Sequence, residues 1–154
     1  GFKEAAFDPS QCCEMNKETE KDTITVLIVE LGKKPVLKEI GSSLEAMQSI
    51  VGGDIEEYMP FEDEVAIICN EEGKITGMAP NRAVYEENSR EMLDIICGKF
   101  FIAYAPFESE KFQSLPPDLA EKYREKFKYP ERFMRVNNEI VAVPFKPVRA
   151  DKER

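Results

Sequence analysis

The hydrophobic residues of this chain fall into short runs with strong β propensity. Residues 23–30 are rich in β-branched side chains and apolar through their centre, which predicts a strand buried on both faces. Residues 35–40 alternate after a turn at Gly32, and this alternation predicts an antiparallel partner strand. The longest apolar run covers residues 95–104 and contains Gly98, so we expect a bulge or a close backbone approach at that glycine. The remaining strands are predicted at 54–61, 65–70, 74–76, 83–85 and 95–104.

Two other segments carry their apolar residues at helical spacing. The first helix is predicted at 43–51, where Ser42 and Glu45 form a capping box and Gly52 ends the helix. The second is predicted at 115–128 and is amphipathic, with charged residues between its apolar positions. Those apolar positions are Leu119, Tyr123 and Phe127.

Together these elements predict an α+β fold, in which a mostly antiparallel sheet of hairpins packs against the two helices. The 154 residues fit a single domain with tails. We expect an N-terminal tail over 1–22, one domain over 23–128 and a C-terminal extension over 129–154. Asn137 and Asn138 separate two apolar segments of that extension, and paired asparagines favour the turn of a terminal hairpin. A frayed extension is the alternative.

The charge balance argues against direct binding to nucleic acid. Acidic residues outnumber basic residues by 30 to 21, and the formal net charge is -9. Such a surface repels phosphates unless lysines and arginines cluster in space. An acidic surface can also imitate a nucleic acid and occupy a basic partner, provided that its carboxylates lie in one stripe. Solubility alone is the explanation that we favour.

The absence of histidine excludes Ser-His-Asp and Cys-His catalysis and histidine-ligated zinc. An enzyme would have to use carboxylates, lysine, tyrosine, cysteine or a bound metal. Cys69 and Cys97 lie in apolar runs and are expected to be core residues, and the adjacent Cys12 and Cys13 make a poor zinc claw. The sequence therefore leans against an enzyme, and we expect neither a metal nor a cofactor.

The cysteine pattern also bears on the compartment. Nothing in it resembles a disulfide framework, which favours a reducing environment. No apolar run approaches the length of a membrane span, and no basic-then-apolar signal segment opens the sequence. We therefore expect a cytoplasmic protein without a membrane partner.

The segment 77–82, Gly-Met-Ala-Pro-Asn-Arg, lies between two apolar strands, and loops held by rigid strands often carry binding residues. In a structural interpretation, Asn81 caps a turn and Arg82 pairs with a carboxylate. In a functional interpretation, Arg82 offers a planar fork to a phosphate or carboxylate, beside Asn81 and the amides near Gly77. We favour the structural interpretation. The candidate ligand-binding residues are Gly77, Pro80, Asn81 and Arg82.

Five blocks of this sequence resemble a known family, the domain-of-unknown-function family 3846. The family's typical loop matches at Gly77, Pro80, Asn81 and Arg82, whereas its strand motif usually has alanine in place of Cys97. The resemblance extends over about residues 23–127. It implies an origin in gut clostridia and other gut bacteria, bacteriophages or mobile elements, and it carries no assigned activity. The five blocks are 26–32, 44–53, 69–77, 80–83 and 94–102.

Three hypotheses for the function follow. The favoured one is a cytoplasmic accessory protein that acts as a non-catalytic binding module and holds a protein partner or a small anionic ligand at the 77–82 loop. In that case Arg82→Ala should abolish binding and leave folding intact. The second is an enzyme acting on a nucleotide or another anionic substrate, with Arg82 as clamp and Asp94, Glu71 or Glu72 as base or metal ligand. The third is the acidic nucleic-acid mimic.

Overall fold

Nine strands and two helices make up residues 22–146, the part of the chain that this computed structural model describes. Residues 1–21 and 147–154 lie outside the described residues, and with them lie Cys12, Cys13 and nearly all of the predicted N-terminal tail. The strands are β1 Thr23–Val29, β2 Val36–Gly41, β3 Ile55–Tyr58, β4 Val65–Asn70, β5 Pro80–Tyr85, β6 Met92–Cys97, β7 Phe100–Tyr104, β8 Glu131–Val136 and β9 Glu139–Pro144. The helices are α1 Leu44–Val51 and α2 Pro117–Lys126.

Five of the strands form one sheet in the order β2-β1-β7-β4-β3. Every neighbouring pair in it is antiparallel. Strands β5 and β6 form a separate antiparallel sheet, and β8 and β9 form another. The predicted α+β fold with a mostly antiparallel sheet is confirmed.

The five-stranded sheet is covered on both faces. One face packs against α1 through the buried side chains of Met47 and Val51. The other packs against α2 and the β5–β6 sheet, which contribute Tyr123, Phe127 and Val84 to a second apolar cluster. The central strands are consequently continuous apolar runs rather than alternating ones. Neither helix of residues 22–146 has the length and apolarity that crossing a membrane requires.

Several local features differ from the predictions. The single strand expected over 95–104 is two strands, β6 and β7, because Gly98 adopts a φ of +84° and turns the chain between them. Residues 74–76 belong to a turn and not to a hairpin arm. The cap of α1 is Ser43, one residue later than Ser42, and its hydroxyl accepts a backbone N–H of the first turn at 3.1 Å.

The terminal hairpin predicted from the paired asparagines is confirmed. Strands β8 and β9 are in antiparallel register, with Val136 opposite Glu139 beside the turn. Asn137 and Asn138 have φ angles of 52° and 69°. A two-residue turn with both central residues in the left-handed region matches the twist of the flanking strands, and asparagine tolerates that region well.

The acidic turn before β4 fastens α2 to the sheet. Asp63 Oδ2 accepts a hydrogen bond from the Lys122 ammonium at 2.6 Å and another from the Tyr123 hydroxyl at 2.8 Å. The Tyr123 ring lies 5.1 Å from the Phe61 ring, which brings an apolar contact to the same place. The hydrogen bonds from Lys122 and Tyr123 lower the pKa of Asp63.

This lowered pKa predicts a loss of stability in acid. The unfolded chain binds the Asp63 proton at the ordinary value of 3.8, so the ionised carboxylate stabilises the fold above that pH. The contribution is lost as the pH falls through the lower pKa of the folded state. We expect it to be below about 1 kcal/mol, because the pair with Lys122 is partly exposed.

Urea unfolding of the wild type and Asp63→Asn, from neutral pH into acid, measures this contribution. The difference in unfolding free energy should be largest at neutral pH and should shrink once the carboxyl is protonated. A difference that stays constant across that range would contradict the assignment.

Candidate functional site

Residues 71–79 connect β4 to β5 and form a closed turn, which we call the β4–β5 excursion. Its backbone is closed by two hydrogen bonds of 2.9 Å: the Thr76 N–H donates to the Glu72 carbonyl, and the Met78 N–H donates to the Gly73 carbonyl. The excursion therefore has a conformation defined by its own backbone. Its exposed residues include Gly77 and Ala79, and the exposed Pro80 follows directly at the start of β5.

Asn81 follows the excursion as the second residue of β5, and its side chain is buried. The Asn81 Nδ2 group donates to the Val29 carbonyl at 3.0 Å and to the Gly98 carbonyl at 2.9 Å. Val29 ends β1, and Gly98 makes the turn between β6 and β7. A single amide group thus joins β5 to both of these places and supplies a buried donor to each carbonyl.

Arg82 is the largest of the fully buried side chains in residues 22–146. Its Nε donates to the Phe127 carbonyl at 3.1 Å, and its Nη2 donates to the Lys33 carbonyl at 2.6 Å. Its Nη1 donates to the Asn81 Oδ1 at 2.8 Å. The guanidinium therefore connects β5 to the end of α2 and to the turn between β1 and β2.

These contacts correct two expectations about residues 80–82. The three residues are the beginning of β5 and not part of a loop. The planar fork of Arg82 is directed at two backbone carbonyls and at the Asn81 side chain. It faces neither solvent, as the functional interpretation expected, nor a paired carboxylate, as the structural interpretation expected. Burial lowers the pKa of Arg82 to about 10, so the group remains charged at neutral pH.

We call Asn81 and Arg82 together the β5 anchor.

The side chain of Met78 also fixes the position of the β4–β5 excursion. Its thioether occupies a slot between Gly52, Gly73 and Gly98. A Cβ atom added to Gly98 would lie 2.6 Å from the Met78 sulfur, and one added to Gly73 would lie 3.5 Å from it. A Cβ atom on Gly52 would lie 3.6 Å from the Met78 Cε. The missing side chains of these glycines provide the space that the thioether fills.

A cleft of about 240 Å³ opens beside the excursion, lined by residues of β3, β4 and β6. Ile75 borders it and is 84% exposed, the largest exposed fraction among the big apolar side chains of residues 22–146. Both Cys69 and Cys97 line the cleft as well. Its charged lining residues are Glu56, Glu71, Lys74 and Asp94.

Acidic groups therefore outnumber the single lysine in the cleft. The Lys74 ammonium forms an ion pair with the Asp94 carboxylate. The hydrogen bond to Asp94 raises the pKa of Lys74, so the amine is fully protonated at neutral pH. The described lining of the cleft therefore carries an excess of negative charge, because Glu56 and Glu71 have no second lysine or arginine beside them.

The pKa values of the neutral side chains that line the cleft are raised, so these groups ionise less readily. Burial raises the pKa of the Cys69 thiol to about 12, and it also raises the pKa of the Cys97 thiol. Burial likewise raises the pKa of the Tyr58 hydroxyl. A thiol is nucleophilic as the thiolate, so neither cysteine is activated here. The expectation that Cys69 is a core residue is confirmed by its burial, whereas Cys97 is only partly buried.

The structure brings together some of the sequence-predicted residues and separates others. Asp94 and Glu71 line the same cleft, whereas Arg82 and Glu72 are not among its lining residues. Sequence reasoning missed Ile75 as a surface feature. The available signal was that Ile75 is a single large apolar residue between polar neighbours, in a segment too short to bury it.

The described residues from β1 through α2 also correspond to a known family. The family described as Domain of unknown function (DUF3846) matches residues 24–128, which include the excursion, the β5 anchor and the cleft. No curated protein and no solved structure matches the chain. The resemblance expected from the five sequence blocks is confirmed, and no activity comes with it. The chain belongs to the DUF3846 family of domains of unknown function.

Proposed function

We propose that this protein is a cytoplasmic accessory protein of a bacterium or mobile element that acts as a non-catalytic binding module. It recognises a protein partner through the β4–β5 excursion and the adjacent cleft. The observation that carries the proposal is Ile75, which is 84% exposed on a turn held by its own backbone, by Met78 and by the β5 anchor. A large apolar side chain presented on a rigid turn loses little conformational entropy on binding.

The charge of the cleft favours a basic partner over a small anionic ligand. Glu56, Glu71 and Asp94 line it, and Lys74 is the only basic residue that residues 22–146 contribute to the lining. The one arginine expected to hold an anion, Arg82, donates instead to the backbone carbonyls of Phe127 and Lys33 and to the side-chain oxygen of Asn81. A partner segment with an apolar side chain for Ile75 and a lysine or arginine for the cleft satisfies both surfaces.

The ionisable groups of the cleft support binding without catalysis. Proton transfer is efficient when the pKa of the acid or base lies near the working pH. In the cleft, Lys74 is shifted up from an already high value, and the thiols and the Tyr58 hydroxyl are also shifted up. None of these groups is brought toward neutral pH, which disfavours the hypothesis of an enzyme acting on nucleotides.

Peptide display gives a direct test of this proposal. Random peptides are selected on the immobilised wild-type protein alone, and the selected peptides are then assayed for binding to Ile75→Ser. The enriched peptides should combine an apolar residue with lysine or arginine, and Ile75→Ser should weaken their binding about tenfold or more. Phe107→Ser is the matched control, because Phe107 is 73% exposed and lies outside the cleft.

Two outcomes would contradict the proposal. Selected peptides that are acidic, or that bind Ile75→Ser and wild type equally, would remove the excursion as the recognition surface. Turnover of nucleotides at high protein concentration, with or without Mg²⁺, would instead support an enzyme. Circular dichroism of Ile75→Ser should match the wild type, because the side chain makes few contacts to lose.

A further inference from the structure

The β8–β9 hairpin carries an apolar face that no described residue covers. In the observed register, Met134 lies opposite Val141, and the neighbouring positions on that face are Val136 and Val143. All four side chains are exposed. Phe133 and Ala142 point to the other face and are partly buried, whereas Ile140 on that face is exposed nearer the turn. Among the described residues, the hairpin is therefore covered only at the end of that face that lies away from the turn.

Such an arrangement is unusual for a protein surface. An isolated two-stranded hairpin is at best marginally stable in water and gains stability when its apolar face or its edge is covered. Contiguous exposed apolar side chains commonly mark an interaction surface. The hairpin begins after residue 128, where the family match ends, so it lies outside the matched domain.

The outer edge of β9 is also open within residues 22–146, because β9 pairs with β8 alone. In a two-residue hairpin the residues flanking the turn exchange hydrogen bonds, and the alternation from Glu139 directs the amides of Ile140 and Ala142 outward. Pro144 is the next outward-facing position of β9, but proline carries no backbone N–H. No charged residue lies between Ile140 and Val143, so this stretch lacks the lysines that commonly protect sheet edges.

We propose that the edge of β9 accepts an extended, acidic strand from a partner protein, which adds a third strand to the hairpin. The hydrogen bonds come from the outward amides and carbonyls near Ile140 and Ala142, and the apolar face receives alternate side chains of the added strand. Arg132, Arg135 and Lys146 outnumber Glu131 and Glu139 in residues 131–146. Glu131 is partly buried and accepts the Ala83 N–H, so Glu139 is the one exposed acid among these five charged residues. The hairpin therefore attracts an acidic segment.

The same charges disfavour a second copy of this chain as the added strand. Pairing of two β9 edges would bring two arginine-bearing hairpins together and would also bring two acidic bodies close to one another, each from a chain of net charge -9. An acidic partner strand meets the opposite charge instead. Arg132 is held in place by the Phe145 ring, whose centre lies 4.6 Å from its guanidinium carbon.

The test uses the full chain, labelled for nuclear magnetic resonance, and a capped peptide of alternating valine and glutamate. The amide signals of Ile140 and Ala142 should shift and become protected from hydrogen exchange. Added salt should weaken the binding. A peptide of alternating valine and lysine, with the same apolar content and the opposite charge, should bind at least about tenfold more weakly.

Two variants distinguish pairing at the β9 edge from nonspecific hydrophobic binding. Ala142→Pro removes an outward N–H and leaves the inner ladder with β8 intact, as Pro144 already does at the same phase, and it should abolish peptide binding. The double variant Val141→Thr, Val143→Thr preserves shape and β propensity, and it should weaken binding by loss of apolar contact. Because it preserves the backbone, it remains informative even where Ala142→Pro disturbs the hairpin.

Several results would overturn the proposal. One is equal binding of the acidic and basic peptides. Another is binding of the acidic peptide that neither variant changes, and a third is a set of signal shifts confined to residues outside β9. Concentration-dependent dimerisation of the wild type that Ala142→Pro removes would assign the edge to a second copy. These outcomes do not depend on Ile75 or on the cleft, so they are distinguishable from failure of the proposed function.

Discussion

Replacement of Arg82 by alanine is expected to lower the free energy of unfolding by about 3–5 kcal/mol. The guanidinium is fully buried and donates to the carbonyls of Phe127 and Lys33 and to the side chain of Asn81. Removing it leaves buried acceptors without donors and opens a cavity of nearly a whole arginine side chain. Chemical denaturation monitored by circular dichroism measures the loss.

This result reverses the expectation from the sequence, in which Arg82→Ala would spare folding and abolish binding. Arg124→Ala is the matched control, because Arg124 lies on the exposed side of α2 and should change stability by no more than about 0.5 kcal/mol. Arg82→Lys should fall between the two, since one ammonium cannot reproduce the planar fork. Equal stability of Arg82→Ala and Arg124→Ala would refute the anchoring role.

The second large effect is expected for Gly98→Ala, at about 2–4 kcal/mol of lost stability. Gly98 has a φ of +84°, which a residue with a Cβ adopts only at a cost. The added Cβ would also lie 2.6 Å from the sulfur of Met78, which is confined by Gly52 and Gly73. The backbone cost and the steric cost therefore add at this position.

Gly77→Ala separates the two costs. Gly77 has the same φ of +84°, but no atom of the described residues lies within 4 Å of an added Cβ, so only the backbone cost of about 1 kcal/mol remains. Met78→Ala should be less harmful in the Gly98→Ala background than in the wild type, because it removes the overlapping sulfur. Equal losses in Gly77→Ala and Gly98→Ala would contradict the assignment of Met78 to the glycine slot.

Local sequence was sufficient for the elements whose signals lie within a few residues. The β-branched run of β1, the helical spacing of α1 and the left-handed turn at Asn137 and Asn138 each report local backbone preferences, and the structure has all three. The split between β6 and β7 was missed because a glycine in an apolar run suits a bulge and a turn equally well. Tertiary contacts favour the turn: the Gly98 carbonyl accepts a hydrogen bond from the side chain of Asn81, a residue of another strand.

The candidate site shows where the sequence by itself stops and tertiary structure takes over. The sequence singled out the segment 77–82 and its arginine. It could not give the role of Arg82, because its acceptors Lys33 and Phe127 are 49 and 45 positions away along the chain. A buried arginine and a ligand-binding arginine have the same local sequence. Only the fold, which encloses the guanidinium and leaves Ile75 exposed, distinguishes them.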